Sequence, residues 1–197
     1  LHNTIEKKRG ELKLFFLSRV SEKKNILFAL KVLMRISLEP VQQLTFDIYG
    51  PIENEEYWQE CLVLIKKLRS RGIQIEYNGA VKSDQVAAII EKYHFLFLPT
   101  LNENYGHIIV ESLFVGRPVI ISDQTPWRNL GHHNVGWDIN LNNNSKFDVV
   151  MQQSLLMSND VYKKMIADSI QFAKEFCNSE KNAVVMKLMF ENTIVHA

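Results

Sequence analysis

A doubly wound α/β domain, Rossmann-like and with a mainly parallel sheet, is the fold this sequence predicts, and two observations predict it. Short apolar runs alternate with longer mixed segments along the chain, the order that builds successive βα units. Two of the runs, Phe95–Leu98 and 118–121 (FLFL and PVII), are continuously apolar rather than alternating. Strands read that way when helices cover both faces of a sheet. Composition fits a folded domain: 197 residues, 46% hydrophobic and 23% charged, in the ordinary range for globular chains. Lys plus Arg is 23 and Asp plus Glu is 22, a formal charge of +1. That balance gives no general pull toward nucleic acid or an anionic membrane.

The elements follow in order. Residues 12–17 (LKLFFL) predict a first strand, and 23–36 a helix, with Ile26, Leu27, Leu30, Leu33 and Met34 at helical spacing. Residues 44–49 predict a second strand closed by Gly50-Pro51, and 55–71 a long amphipathic helix that Gly72 ends in a glycine cap. Residues 73–77 are a third strand closed by Asn78-Gly79, and 84–92 a short helix. Strand 95–98, helix 105–114 and strand 118–121 come next, then a last strand at 135–139. Beyond Ser145 the chain reads as helices 146–157, 161–176 and 180–195. About six strands result, with helices on both faces and extra carboxyl-terminal helices.

No apolar run reaches the roughly 18 residues that a membrane-spanning helix needs, and the first dozen residues are polar, unlike a secretory signal. Cys61 and Cys177 are far apart and outside any metal-type spacing. They read as reduced thiols of a cytoplasmic protein, with no metal site expected. The chain opens on Leu1 rather than Met, as expected of a piece of something longer.

Ligands on such sheets bind beyond the carboxyl ends of the strands, so the loops after strands carry the candidates. In the first, Arg19 leaves the strand and Lys24 follows near the next helix start. Two cations beside a helix N-terminus suit a phosphate, Arg as a planar fork and Lys as a point charge; solvated surface cations are the plain alternative. The fourth loop carries Glu103, Asn104, Tyr105, Gly106 and His107, and the apolar helix behind it contains Glu111. A buried carboxylate needs a partner: a ligand hydroxyl, or a neighbouring Arg or Lys. Glu103 and Glu111 are separated by eight positions, about 12 Å of helix rise, too far for a proton-sharing dyad but suited to two parts of one extended ligand. Gly106 lets backbone approach that ligand closely, and the amides of Tyr105, Gly106 and His107 suit its phosphates. The loop 122–129, with Pro126 and Trp127, reads as a polar turn or surface cap. Gly79-Ala80-Val81 suits a flat base lying against backbone, and equally an ordinary turn.

Glu103 and Glu111 with seven residues between them, preceded by FLFLPT and followed by SLFVGRPVIIS, resemble the paired-glutamate motif of retaining glycosyltransferases of family 4, of GT-B architecture. Ser18-Arg19 with Lys24-Asn25 resembles that family's phosphate-binding loop, residues 77–81 its base-side loop, and residues 123–128 a turn of its polysaccharide-building members. The resemblance spans about residues 12–195. It implies one half of a GT-B fold, the donor-binding domain over 1–197, with a core of about 12–177 and a crossing helix at about 179–195. The acceptor-binding domain is then missing, and the fragment alone is expected to be inactive.

The resemblance assigns catalytic roles to Glu103, Arg19 and Lys24. Arg19 and Lys24 hold the diphosphate in place of a metal, and Glu103 meets the donor sugar. Donor binding falls to Glu111 on the ribose, to Asn104, Tyr105, Gly106 and His107, and to Val81 and Gly79 at the base. No cofactor or metal is implied beyond the nucleotide-diphosphate sugar itself. The other partner is a glycan or lipid-linked acceptor, met at the cytoplasm or the inner face of the membrane. Two departures stand out: Ser18 where a glycine often precedes the Arg, and Asn104 where a small residue usually follows the first Glu. A stand-alone nucleotide-sugar binding module and a GT-B-like nucleotide-sugar epimerase are the alternatives.

Overall fold

The apolar runs pair into one six-stranded sheet in the order β3-β2-β1-β4-β5-β6, seen in a computed structural model that describes residues 5–178. The strands are β1 (Glu11–Leu17), β2 (Gln43–Tyr49), β3 (Gln74–Tyr77), β4 (Phe95–Leu98), β5 (Val119–Ser122) and β6 (Gly136–Ile139). Every pair is parallel. β4 and β5 are buried at every residue, as continuous apolar runs require. The helices are α1 (Ile26–Met34), α2 (Glu55–Ser70), α3 (Val86–Ile90), α4 (His107–Phe114), α5 (Asn144–Leu156) and α6 (Asn159–Asn178). They fall into two layers: α1 packs on α2 and α5, and α4 on α3 and α6. This is the predicted Rossmann-like α/β fold. The expected helix at 180–195 lies outside the described residues.

Local chemistry explains the boundaries. The side chain of Asn54 accepts from Tyr57 N–H and caps α2, whose first turn carries Glu55 and Glu56 and whose last carries Lys67 and Arg69. Gly72, at φ +84°, turns the chain out of that helix, and Ile73 N–H reaches back to Leu68 O.

Three helices are shorter than the periodicity predicts. Residues 22–24 form a separate 3-10 turn, because Asn25 sits in the left-handed region at φ 59° and breaks the expected helix 23–36 in two. Asn tolerates that conformation better than most residues. Residues 84–92 likewise divide into a 3-10 turn at Ser83–Gln85 and α3. Tyr105 and Gly106 stand outside α4, since Gly106 adopts φ +83° as its cap.

The strand order reverses between β1 and β4, and it is beyond the carboxyl ends at such a reversal that sheets of this kind take their ligands. Gly50 keeps the neighbouring loops tight. A Cβ at this position would lie 1.9 Å from Ser18 O, and its φ is +126°. Gly50→Ala is therefore expected to destabilise the chain by about 2–4 kcal/mol, read as a lower urea midpoint; an unchanged midpoint would mean the two loops are not packed this closely.

Candidate functional site at the strand-order switch

The loop after β1 is pinned to the loop after β2. Val20 N–H donates to Pro51 O, Glu53 N–H to Val20 O, and Val20 bridges Ile52 in parallel. Arg19 projects from this braid into solvent, and its Nη1 donates to Glu53 Oε1 at 2.6 Å, the two side chains 56% and 45% exposed. Lys24, at the end of the 3-10 turn, is buried, and its Nζ donates to Glu103 Oε2 at 2.5 Å. That contact joins the loops above β1 and β4, the two strands flanking the switch.

A lattice of hydrogen bonds holds those loops together. Asn25 Nδ2 donates to Pro99 O at 3.0 Å, Leu101 N–H to Lys23 O at 2.8 Å, and Thr100 Oγ1 to Lys23 O at 3.0 Å. Ser122 Oγ donates to Thr100 O, and Glu103 N–H to Gln124 O, which ties in the loop above β5. On the far side, Trp127 Nε1 donates to Tyr105 O at 2.6 Å. Gly106 lies between these groups: an added Cβ would meet Ile109 Cδ1 at 2.7 Å, Trp127 Nε1 at 3.1 Å and Glu103 Cγ at 3.3 Å. A side chain there would have to push Ile109 aside and would press on the indole and the glutamate, in a backbone conformation at φ +83° that favours glycine.

The two glutamates differ in state. Burial by itself raises the Glu103 carboxyl, but the hydrogen bond and charge of Lys24, with the backbone N–H groups of Tyr105 and Asn104, outweigh it. Glu103 is held below the ordinary carboxylate range and stays ionised. Glu111 is half-buried in the second turn of α4, and no donor reaches its carboxylate among the described residues. Burial pushes it up to about 7. Of the two partners the sequence allows, a neighbouring Arg or Lys is not found on Glu111 among the described residues.

Of the residues singled out in the sequence, Lys24, Glu103, Asn104 and Gly106 come together: Asn104 N–H donates to Glu103 Oε1 at 3.1 Å. His107 opens α4 and lies exposed, its ring 4.9 Å from that of Tyr105. Gly79, at φ +72°, accepts from Gly50 N–H at 2.7 Å, which links the loop above β3 to the braid; Val81 is half-buried beyond it. Arg19 and Lys24 have separate acidic partners: Glu53, on the β2 side, holds Arg19, and Glu103 holds Lys24. Glu53 and Thr100 escaped the sequence reading, and Asn25 and Ser122 entered it only as members of the Lys24-Asn25 segment and of the loop 122–129, without a role of their own.

A parallel sheet in this order, with helices in two layers, defines a Rossmann-like domain, and cationic and acidic side chains gather at its switch point, the place where such sheets generally take ligands. The chain belongs to the family described as Glycosyl transferases group 1, whose sequence profile matches residues 1–172. No curated protein matches it.

Among solved structures, it is similar to WaaG, a glycosyltransferase involved in lipopolysaccharide biosynthesis: 15% identity and a TM-score of 0.70 over 92% of this chain and 47% of WaaG. It is similar to HepE of Anabaena, solved in complex with UDP: 16% identity and a TM-score of 0.65 over 95% of this chain and 50% of HepE. The catalytic domain of the cholesterol-α-glucosyltransferase of Helicobacter pylori matches at 18% identity and a TM-score of 0.66, over 84% of this chain and 98% of that domain. At these identities the likeness is one of fold. The chain spans about half the length of WaaG and of HepE. Among the described residues, no helix is long and apolar enough to cross a membrane.

Proposed function

We propose that this chain is the donor-binding half of a retaining glycosyltransferase of family 4, which moves a sugar from a nucleoside-diphosphate sugar to a glycan or lipid-linked acceptor in polysaccharide biosynthesis. The contact between Lys24 Nζ and Glu103 Oε2 across the β1/β4 switch carries this reading, because it puts a phosphate-binding cation beside a hydroxyl-binding carboxylate where such sheets hold ligands. Lys24 and Arg19 bind the diphosphate and stabilise its charge as the sugar leaves, without a metal. The Glu111 carboxylate accepts from the ribose hydroxyls and Glu103 from those of the sugar. Asn104 and the amides of Tyr105, Gly106 and His107 line the sugar and phosphates, and Gly79 and Val81 border the base.

The acceptor hydroxyl attacks the anomeric carbon on the face the diphosphate leaves. The new C–O bond forms, the bond to the phosphate oxygen breaks, and the hydroxyl proton passes to the departing phosphate. The acceptor is held by an amino-terminal domain outside this chain, in the cytoplasm, and the chain alone does not turn over.

Calorimetric titration with UDP, GDP and their sugars tests the reading: at least one binds, and Arg19→Ala weakens it, as a lost charge-assisted phosphate contact costs about 1.5–3 kcal/mol. If Arg19→Ala and Lys24→Ala both bind like the parent, the phosphate assignment is wrong.

The Arg19–Glu53 pair supplies a further prediction. Both partners are about half exposed, so the pair adds little to stability, yet the diphosphate has to draw Arg19 away from Glu53. Glu53→Gln should tighten UDP by about two- to fivefold, the worth of a surface ion pair, with no loss of thermal stability. The gain should vanish when Arg19 is also replaced by Ala.

A further inference from the structure

We propose that Lys24 changes partner when the donor binds, and that this exchange makes capture of the sugar conditional on the diphosphate. The inference rests on the donor-site reading above and deepens it: the pair becomes the device that discriminates nucleotide sugars from free sugars.

In the unliganded chain both oxygens of Glu103 are engaged, Oε2 by Lys24 Nζ and Oε1 by Asn104 N–H. A sugar hydroxyl recognises a carboxylate by donating to it. A free sugar arriving here has to compete with an ammonium, a stronger donor because it is charged. The competition takes place in a poorly hydrated spot, since the Lys24 and Glu103 side chains are only 11% and 16% exposed. The lysine, by contrast, has three donors on a flexible four-carbon stem, and it lies two residues before the start of α1, where an anion is favoured.

A diphosphate that draws Nζ toward itself leaves Glu103 Oε2 without its counter-charge. That oxygen is half-buried beside new negative charge, a costly state unless donors replace the ammonium. The hydroxyls of the attached sugar are such donors. Asn25 and Thr100 keep the carboxylate in place through the exchange, because they fix backbone on both sides of the lysine: Asn25 Nδ2 to Pro99 O and Thr100 Oγ1 to Lys23 O. Diphosphate and sugar therefore bind cooperatively, and by linkage each raises the affinity of the other by the same factor.

Saturation-transfer NMR on the whole chain tests this with glucose, galactose, mannose and N-acetylglucosamine as probes, each without and with saturating UDP, GDP or ADP. The parent should bind at least one sugar about tenfold more tightly when a diphosphate is present, within the usual span of coupling between sites. Lys24→Met, and Lys24→Gln as a second variant, should bind that sugar without any diphosphate, and saturating diphosphate should then change its affinity by less than about twofold. Glu103→Gln should bind it weakly in both conditions.

Coupling undiminished in both Lys24 variants, or a parent whose sugar affinity ignores a diphosphate that is demonstrably bound, would overturn the exchange and leave the donor site standing. Failure of every nucleoside diphosphate to bind would remove the donor-site reading, and the exchange with it.

Discussion

Lys24→Met loses roughly 10- to 100-fold in affinity for the nucleoside diphosphate, the worth of a charge-assisted hydrogen bond to phosphate. The same substitution lowers stability at neutral pH by about 1–3 kcal/mol, because it leaves a half-buried carboxylate without its ammonium. The pH dependence has a definite sign. Glu103 in the folded chain is held below its ordinary value, so the stabilisation it draws from Lys24 is present above the ordinary carboxylate value of about 4.5 and fades as pH falls through the lower folded one. The unfolding midpoints of parent and Lys24→Met should therefore be well separated at pH 7 and converge in acid. A gap that stays constant down to acid would mean that the lysine stabilises by packing alone.

Glu111→Gln should do the reverse for stability while damaging binding. Burial pushes the Glu111 carboxyl up from 4.5 to about 7. The folded chain thus keeps a proton that the unfolded chain releases above about 4.5, and stability is lost as pH rises through the interval up to about 7. Removing the charge lifts that penalty. Glu111→Gln should be more stable than the parent above pH 7 by about 1–3 kcal/mol, discounted for the solvent that still reaches the group, and equal to it at pH 4. The variant should lose about tenfold or more in nucleoside affinity, since an amide oxygen replaces a charged acceptor of the ribose hydroxyls, with inorganic pyrophosphate binding little changed. Thermal melts across pH and paired titrations with uridine and pyrophosphate read both effects. Equal losses for uridine and pyrophosphate would remove the ribose role.

Much of the fold was legible because burial writes itself into the sequence. The short unbroken apolar runs of β4 and β5 read as central strands covered on both faces, and they are buried at every residue, while the capped, amphipathic pattern of α2 marks its ends within a residue or so. The left-handed residues were harder to read. Asn25 sits inside an apolar helical periodicity, and nothing in that periodicity says the chain will stop, turn at φ 59° and restart.

The site divides in the same way. Glu103 and Glu111 stand out because acids are rare beside buried helices, and Gly106 because a glycine just before an apolar helix lets backbone come close to a ligand. Partner choice was not legible: Glu53 is one loop acid among several, and only the braid of residues 18–20 with 49–53 brings it to Arg19. Likewise, the sequence places Lys24 and Glu103 in the loops that follow β1 and β4 but does not say that they touch.

A crystal structure of the chain with UDP bound decides whether the nucleotide sits at the β1/β4 switch. The diphosphate should lie against Lys24 Nζ there, with Arg19 turned from Glu53 toward it and the ribose hydroxyls on Glu111. UDP ordered elsewhere on the molecule, with the Lys24–Glu103 and Arg19–Glu53 pairs intact, would contradict it.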